Sequence, residues 1–337
     1  MSKKIGSLTM KFDNAYVLDG YSVAGPKERE GPLGKEFDLT LDNDKFGEKT
    51  FEKAECKMFK AALDGVLAKS GIGKESVDAV LGGDLLNQII STAFVMREFD
   101  SAFFGLYNAC GTFAESLVLG ACLIDGGFKS KVIATSGSHF SSAERQYRYP
   151  LELGVYRSPV SQWTATGAAA TLLSPSGENA VMRITRALGG RVIDFGIKDV
   201  NNMGAAMAPA AFDTLSTFFA DTGVSPNDYD KIFTGDLGKL GREILIDLFR
   251  EKGIAADDRF DDCGAMLYSE SQKTCQGGSG AACSAIVFNS RILNRFKSGE
   301  YKKVLLVGTG ALLSTISSFQ GESIPGIAHL VEVCSVY

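Results

Sequence analysis

Histidine is almost absent from this 337-residue chain, with only His139 and His329. Tryptophan occurs once, at Trp163, and proline eight times. Scarce histidine removes much of the usual ligand supply for zinc. The seven cysteines (Cys56, Cys110, Cys122, Cys263, Cys275, Cys283 and Cys334) are odd in number, widely spaced and free of any CxxC pair. They read as reduced thiols in a cytosolic setting, mostly small buried apolar residues, so neither a disulfide framework nor a metal site is expected. Basic excess is missing too: the formal net charge is −5 and no basic cluster is longer than a pair such as Lys3–Lys4. That excludes a nucleic-acid surface and leaves any anion to be bound by a local donor-rich pocket. Few prolines beside 38 glycines fit a compact chain with many tight turns rather than a disordered one.

The opening residues, MSKKIGSLTMKF, lack the apolar stretch of a secretory signal. One segment, 102–124 (AFFGLYNACGTFAESLVLGACLI), approaches a membrane span in length. Asn108, Glu115 and internal glycines interrupt it. The expectation is a buried strand followed by a buried helix, with no transmembrane segment.

What the chain has is apolar residues, 45% of the total, and an internal repeat. The length suits two domains or two halves of one large fold. DAVLGGDL at 78–85 parallels DKIFTGDL at 230–237. Upstream, Leu63, Ala68 and Gly71 parallel Leu215, Ala220 and Gly223 at the same offset. In each copy an amphipathic helix ends near the glycine and a short strand runs into Gly-Asp-Leu. A second pair, KVIATSG at 131–137 and KVLLVGTG at 303–310, follows small-residue helices in the same order. Runs apolar on both faces, such as VIAT and VLLV, predict strands in the middle of a covered sheet. Alternating strands and helices give an α/β fold of two related halves, 1–177 and 178–337.

Duplicated βαβ halves with a cysteine after the third strand of the first half resemble the thiolase and ketoacyl-synthase superfamily. The residues that carry the likeness are ACGTFAES (109–116), ATGAAATLLSPSG (165–177), GGSGAACSA (277–285) and GTGALLS (308–314). Three further segments narrow it: DNAYVLDGYSVAGPKEREGPLG, LGGDLLNQI and RQYRYPLELGVYRSPVSQWTATGA. They are similar to a thiolase-like family of sporulation proteins from spore-forming bacteria. The resemblance implies a five-layered αβαβα fold with pseudo-twofold halves. It implies binding of dipicolinate (pyridine-2,6-dicarboxylate) during uptake into the developing spore. It also implies membrane-protein partners from the same sporulation operon and a place on the cytoplasmic side of the forespore or spore inner membrane, reached through them. No cofactor is implied, and calcium enters only as part of the ligand. Superfamily members commonly pair through the strand before the nucleophile, here 103–109, so a homodimer is expected.

Cys110 sits at a strand–Cys–Gly–helix junction, where the helix start favours thiolate. Condensing chemistry needs more: fixed donors for an oxyanion and a partner for the carbanion. The superfamily usually supplies a histidine where this chain has Asp236, and a second His or Asn in the turn that here reads Gly277, Gly278 and Ser279. The leading expectation is thus a binding protein with a degenerate condensing site. The runner-up is an active acyltransferase using Cys110, and a scaffold with a vestigial pocket is a third reading. His329 is the candidate partner of Cys110. Further candidate ligand contacts are Asp84, Ser136, Ser138, His139, Arg145 and Arg148. The arginines stand in a Tyr/Arg-rich insertion at 140–165, since guanidinium forks suit carboxylates and aromatic faces suit a pyridine ring. The plain alternatives are a helix N-cap for Asp84, core roles for the histidines, and a solvated loop with its arginines paired to Glu144 or Glu152.

Overall fold

The computed structural model describes residues 3–147, 157–256 and 258–336. Ten strands carry the architecture. In the first half they are β1 (Tyr16–Ala24), β2 (Ala79–Gly83), β3 (Ala102–Gly105), β4 (Val132–Ser138) and β5 (Gly167–Ser174). In the second they are β6 (Met182–Leu188), β7 (Lys231–Thr234), β8 (Phe260–Asp262), β9 (Lys303–Ala311) and β10 (Gly326–Ser335). Their order in space is β8-β7-β9-β10-β6-β1-β5-β4-β2-β3. Each half therefore has its third strand outermost, then second, fourth, fifth and first, and the two series mirror each other about the β6–β1 seam. The seam is short: Met182 pairs with Val17 and Arg183 with Tyr16, antiparallel.

The helices that position the site are α1 (Phe51–Ser70), α2 (Thr112–Asp125), α3 (Phe140–Tyr147), α4 (Met203–Thr222), α5 (Gly238–Glu251) and α6 (Ala281–Val287). The long repeat helices start and stop where the sequence signals. Thr50 caps α1 by accepting from the Lys53 N–H, and Gly71 closes it in the left-handed region at φ 66°. Asn202 and Gly223 (φ 71°) do the same for α4. Met58, Phe59, Leu63, Val66 and Leu67 of α1 bury one face against Ile133, Ala168 and Leu172 of the first-half sheet. Met207, Leu215 and Phe218 of α4 do so against Leu305, Val307 and Leu330 of the second. Between the sheets lies a third core of Phe113, Leu117 and Ala121 from α2 with Ile286 from α6, together with Leu173 and Val331 from the flanking strands. Three helical layers alternating with two sheets give the expected αβαβα fold.

The central helix α2 buries most of its residues, among them Phe113, Leu117, Ala121 and Ile124, which explains why 102–124 approaches a membrane span in apolar length. Among the described residues no helix is long and apolar enough to cross a membrane. Gly308 of β9 shows how closely α2 approaches, because a Cβ there would lie 2.4 Å from the Cβ of Ala114. One expectation needs correction. The strand before Cys110 is not buried: β3 is the end strand of the sheet, pairs only with β2, and exposes Ala102, Phe104 and Gly105.

Candidate functional site

The chain turns from β3 into α2 through Asn108, Ala109 and Cys110. Ala109 takes φ 48°, in the left-handed region that residues with a Cβ rarely enter. Local bonds hold the turn: the Asn108 N–H donates to Thr112 Oγ1 at 2.9 Å, and that hydroxyl donates to the Ala109 carbonyl at 2.9 Å. The Gly111 N–H returns to the Asn108 carbonyl at 3.0 Å. This strained corner projects Cys110 from the start of α2 toward the second half.

There it meets Asp236, just beyond β7. The Cys110 thiol faces the Asp236 carboxylate. Thr309 Oγ1 donates to Asp236 Oδ1 at 2.8 Å and the Gly280 N–H, at the start of α6, donates to Oδ2 at 2.9 Å. Asp236 is 1% exposed. Burial pushes its carboxyl up to about 7, against the downward pull of Cys110 and of the Thr309 and Gly280 bonds.

Cys110 and Gly280 line a pocket open to solvent, with an empty volume of about 570 Å³ including its mouth. Leu85, Ala143, Met203 and Leu313 give it an apolar wall, and Tyr107, Tyr147, Glu144 and Thr164 a polar one. The Tyr107 and Tyr147 hydroxyls bond each other, and Tyr147 also donates to the Leu85 carbonyl at 2.8 Å. Glu144 accepts from Thr164 Oγ1 at 2.9 Å, and Arg157 approaches the same oxygen at 3.5 Å. The Arg157 guanidinium lies over Trp163, 4.5 Å from the ring centre.

His329 lies behind the turn, not among the pocket-lining residues. Its Nδ1 accepts the Gly190 N–H at 3.2 Å, so the neutral ring carries its proton on Nε2. The Asn108 side-chain amide lies 2.5 Å from Nε2. The amide nitrogen is the atom set there, and because a protonated Nε2 needs an acceptor, hydrogen-bond satisfaction assigns the amide oxygen to that position. Burial lowers the His329 pKa to about 4, which keeps the ring neutral. The histidine thus reaches the cysteine's turn through Asn108 and supports it from behind.

The other sequence candidates are dispersed. Asp84 is buried and occupied: it accepts from Leu86 N at 3.0 Å, Thr92 N at 2.8 Å and Thr92 Oγ1 at 2.7 Å. Ser136 donates to the Gly83 carbonyl at 3.3 Å. Ser138 donates to the Ala165 carbonyl at 2.8 Å and accepts the Ala282 N–H at 3.1 Å, fixing the start of α6. His139 uses both ring nitrogens on backbone, the Asp44 carbonyl at 2.7 Å and the Ser141 N–H at 3.1 Å. Arg145 is half exposed and paired with Glu52 at 2.5 Å. Arg148 lies outside the described residues. Of the candidates among the described residues, only Cys110 lines the pocket. Sequence reasoning placed Tyr147 in the aromatic insertion but missed Tyr107, Glu144 and Thr164 as lining groups, Asn108 as the link to His329, and Asp236 as the group facing the cysteine. For Asp236 the signal was present: it ends a repeated strand at the place where the superfamily puts a site residue.

The profile of the family described as stage V sporulation protein AD matches residues 6–334. The stage V sporulation protein AD of Bacillus subtilis (strain 168) is 40% identical over 328 residues, 97% of this chain and 96% of that protein. Among solved structures, OleA of Xanthomonas campestris superposes with a TM-score of 0.61 at 15% identity, over 98% of this chain and 100% of its own. An OleA structure with bound lauric acid and lauroyl-CoA gives 0.62 at 15% identity, covering 96% and 99%. At that identity the OleA likeness concerns the fold alone.

Proposed function

The chain belongs to the stage V sporulation protein AD family, and from that premise we propose that it binds dipicolinate for uptake into the developing spore, in the pocket beside Cys110. The observation that carries the reading is that open pocket, set at the helix start where fold relatives place their reactive centre, in a chain of this family. Its Tyr107 and Tyr147 rings suit a flat heteroaromatic ligand. Glu144 is the lining carboxylate that suits a calcium ion brought in with the ligand. Arg157, beside Glu144, is the nearby guanidinium that suits the ligand's carboxylates.

A specific contact favours binding over acyl condensation. The Gly280 N–H is taken up by Asp236 Oδ2, where a condensing site needs free donors aimed at a developing oxyanion. Two further proposals accompany this reading. Phe104 and Tyr107 are exposed on and beside the open β3 edge, and that edge suits antiparallel pairing with a second copy, giving a twofold homodimer. Attachment to the spore inner membrane would come through the membrane proteins of the same sporulation operon.

Calorimetric titration of the full chain with dipicolinate, with and without calcium, tests the binding reading. Reversible saturable binding is expected, with no release of CoA from acyl-CoA. Ala143→Trp, which fills the pocket, should weaken binding at least tenfold. Absence of dipicolinate binding together with CoA release that requires Cys110 would replace this reading by the acyltransferase one.

A further inference from the structure

Four of the pocket-lining residues carry a hydroxyl: Tyr107, Tyr147, Thr164 and Ser279. Each has one proton to give. Tyr147 gives its proton to the Leu85 carbonyl at 2.8 Å, so the bond between the two tyrosines uses the proton of Tyr107. Thr164 gives its proton to Glu144 Oε1 at 2.9 Å. The Gly280 N–H beside them goes to Asp236 Oδ2 at 2.9 Å. Ser279 departs from this pattern. It is 1% exposed, yet its hydroxyl has no hydrogen-bond partner among the described residues.

The backbone holds that hydroxyl in place. Gly278–Ser279 pairs in parallel with Trp163–Thr164, with Ser279 opposite Thr164. Partners across a ladder share a face, so these two side chains line the pocket together. The Trp163 N–H donates to the Gly277 carbonyl and the Ala165 N–H to the Ser279 carbonyl, both at 2.8 Å. Gly277 at φ 111° and Gly280 at φ 100° flank the pair in a backbone region that residues with a Cβ rarely adopt. A Cβ on Gly280 would lie 3.0 Å from Ser138 Oγ and 3.1 Å from Thr164 Cγ2, so the turn has little room to move.

A buried hydroxyl without a partner is costly. The tightness of the turn accounts for a small side chain at 279, but alanine is as small and would carry no such cost. The occupant of the pocket can supply what the hydroxyl lacks. A buried carboxylate in turn needs donors, and the other three lining hydroxyls have spent theirs. Resting on the dipicolinate reading above, we propose that Ser279 donates its proton to a carboxylate oxygen of the bound ligand and so fixes the ligand's orientation in the pocket. It does so without breaking any bond of the pocket wall.

The test compares Ser279→Ala with the unmodified full chain, in calorimetric titration with dipicolinate and in thermal unfolding without it. Removing a hydroxyl that has no protein partner should leave the ligand-free melting temperature within about 2 °C. Removing a donor to a charged oxygen should weaken dipicolinate binding about tenfold or more. A loss smaller than about threefold overturns the donor role and leaves the binding reading standing. A variant that melts more than about 2 °C lower, or does not fold, shows that the hydroxyl serves the fold and also overturns the donor role. Absence of binding by the unmodified chain removes the binding reading and the donor role together.

Discussion

The two Gly-Asp-Leu strand ends began as copies and now do opposite things. Asp84, after β2, turns into its own half, where two backbone N–H groups and the Thr92 hydroxyl occupy it. Asp236, after β7, turns across the molecule to a thiol, a hydroxyl and a helix-start N–H from three other elements. The same residue at the same place in the repeat is local scaffolding in one half and the centre of a site in the other. What differs is what each half offers opposite: the first half's central helix begins with a cysteine and faces Asp236, while the second half's begins with Gly280. Duplication sets where a carboxylate stands, and the partner half decides what it does.

Three substitutions sharpen or break this contrast. Asp84→Ala should have the largest effect, since it strands three donors in a buried place. A loss of about 3 kcal/mol in denaturant unfolding is expected. A loss under about 0.5 kcal/mol would mean that Asp84 is not the local clamp described. Asp236→Asn should cost less and show its effect in the pH dependence. The folded carboxyl sits near 7 against an ordinary aspartate value of 3.8. Its stabilising contribution is therefore fully present below about pH 4 and lost as pH rises through 7. The variant lacks that loss, so its stability relative to the unmodified chain should improve from pH 4 to 8 by about 4 kcal/mol. Parallel curves in melting experiments would show that Asp236 is ionised throughout. Arg145→Ala should do least. Its pair with Glu52 is half exposed, so a change within about 0.5 kcal/mol is expected, and dipicolinate affinity should stay within about twofold. A larger loss of affinity would bring the arginine helix over the pocket after all.

Much of the fold was legible because it is written in local patterns repeated twice. The glycine that ends α1, the apolar runs of β4 and β9 and the two Gly-Asp-Leu ends each announce an element. Their recurrence at one offset announces the symmetry. The site was legible only where a motif was contiguous, as at Cys110. Asp236 lies 126 residues from Cys110, and no periodicity reports which way a strand-end side chain turns. His329 was drawn toward the nucleophile's neighbourhood by its strand. Its ring, though, is taken by Asn108 and Gly190, contacts set by side-chain direction in a packed interior. The arginines of the insertion suggested an anion site by composition. Arg145 instead faces Glu52 because the amphipathic pattern of α3 turns Ser142, Ala143 and Glu144 inward.

The two ends of the long sheet are unequal. At one end β8 keeps Phe260 and Asp262 buried. At the other, β3 offers an open backbone edge with Phe104 beside it. Pairing of two β3 edges about a twofold axis consumes both in the same act, so growth by that edge stops after one event. Had both ends been bare, each addition would have exposed a new edge, and the same strand chemistry would have led to fibres.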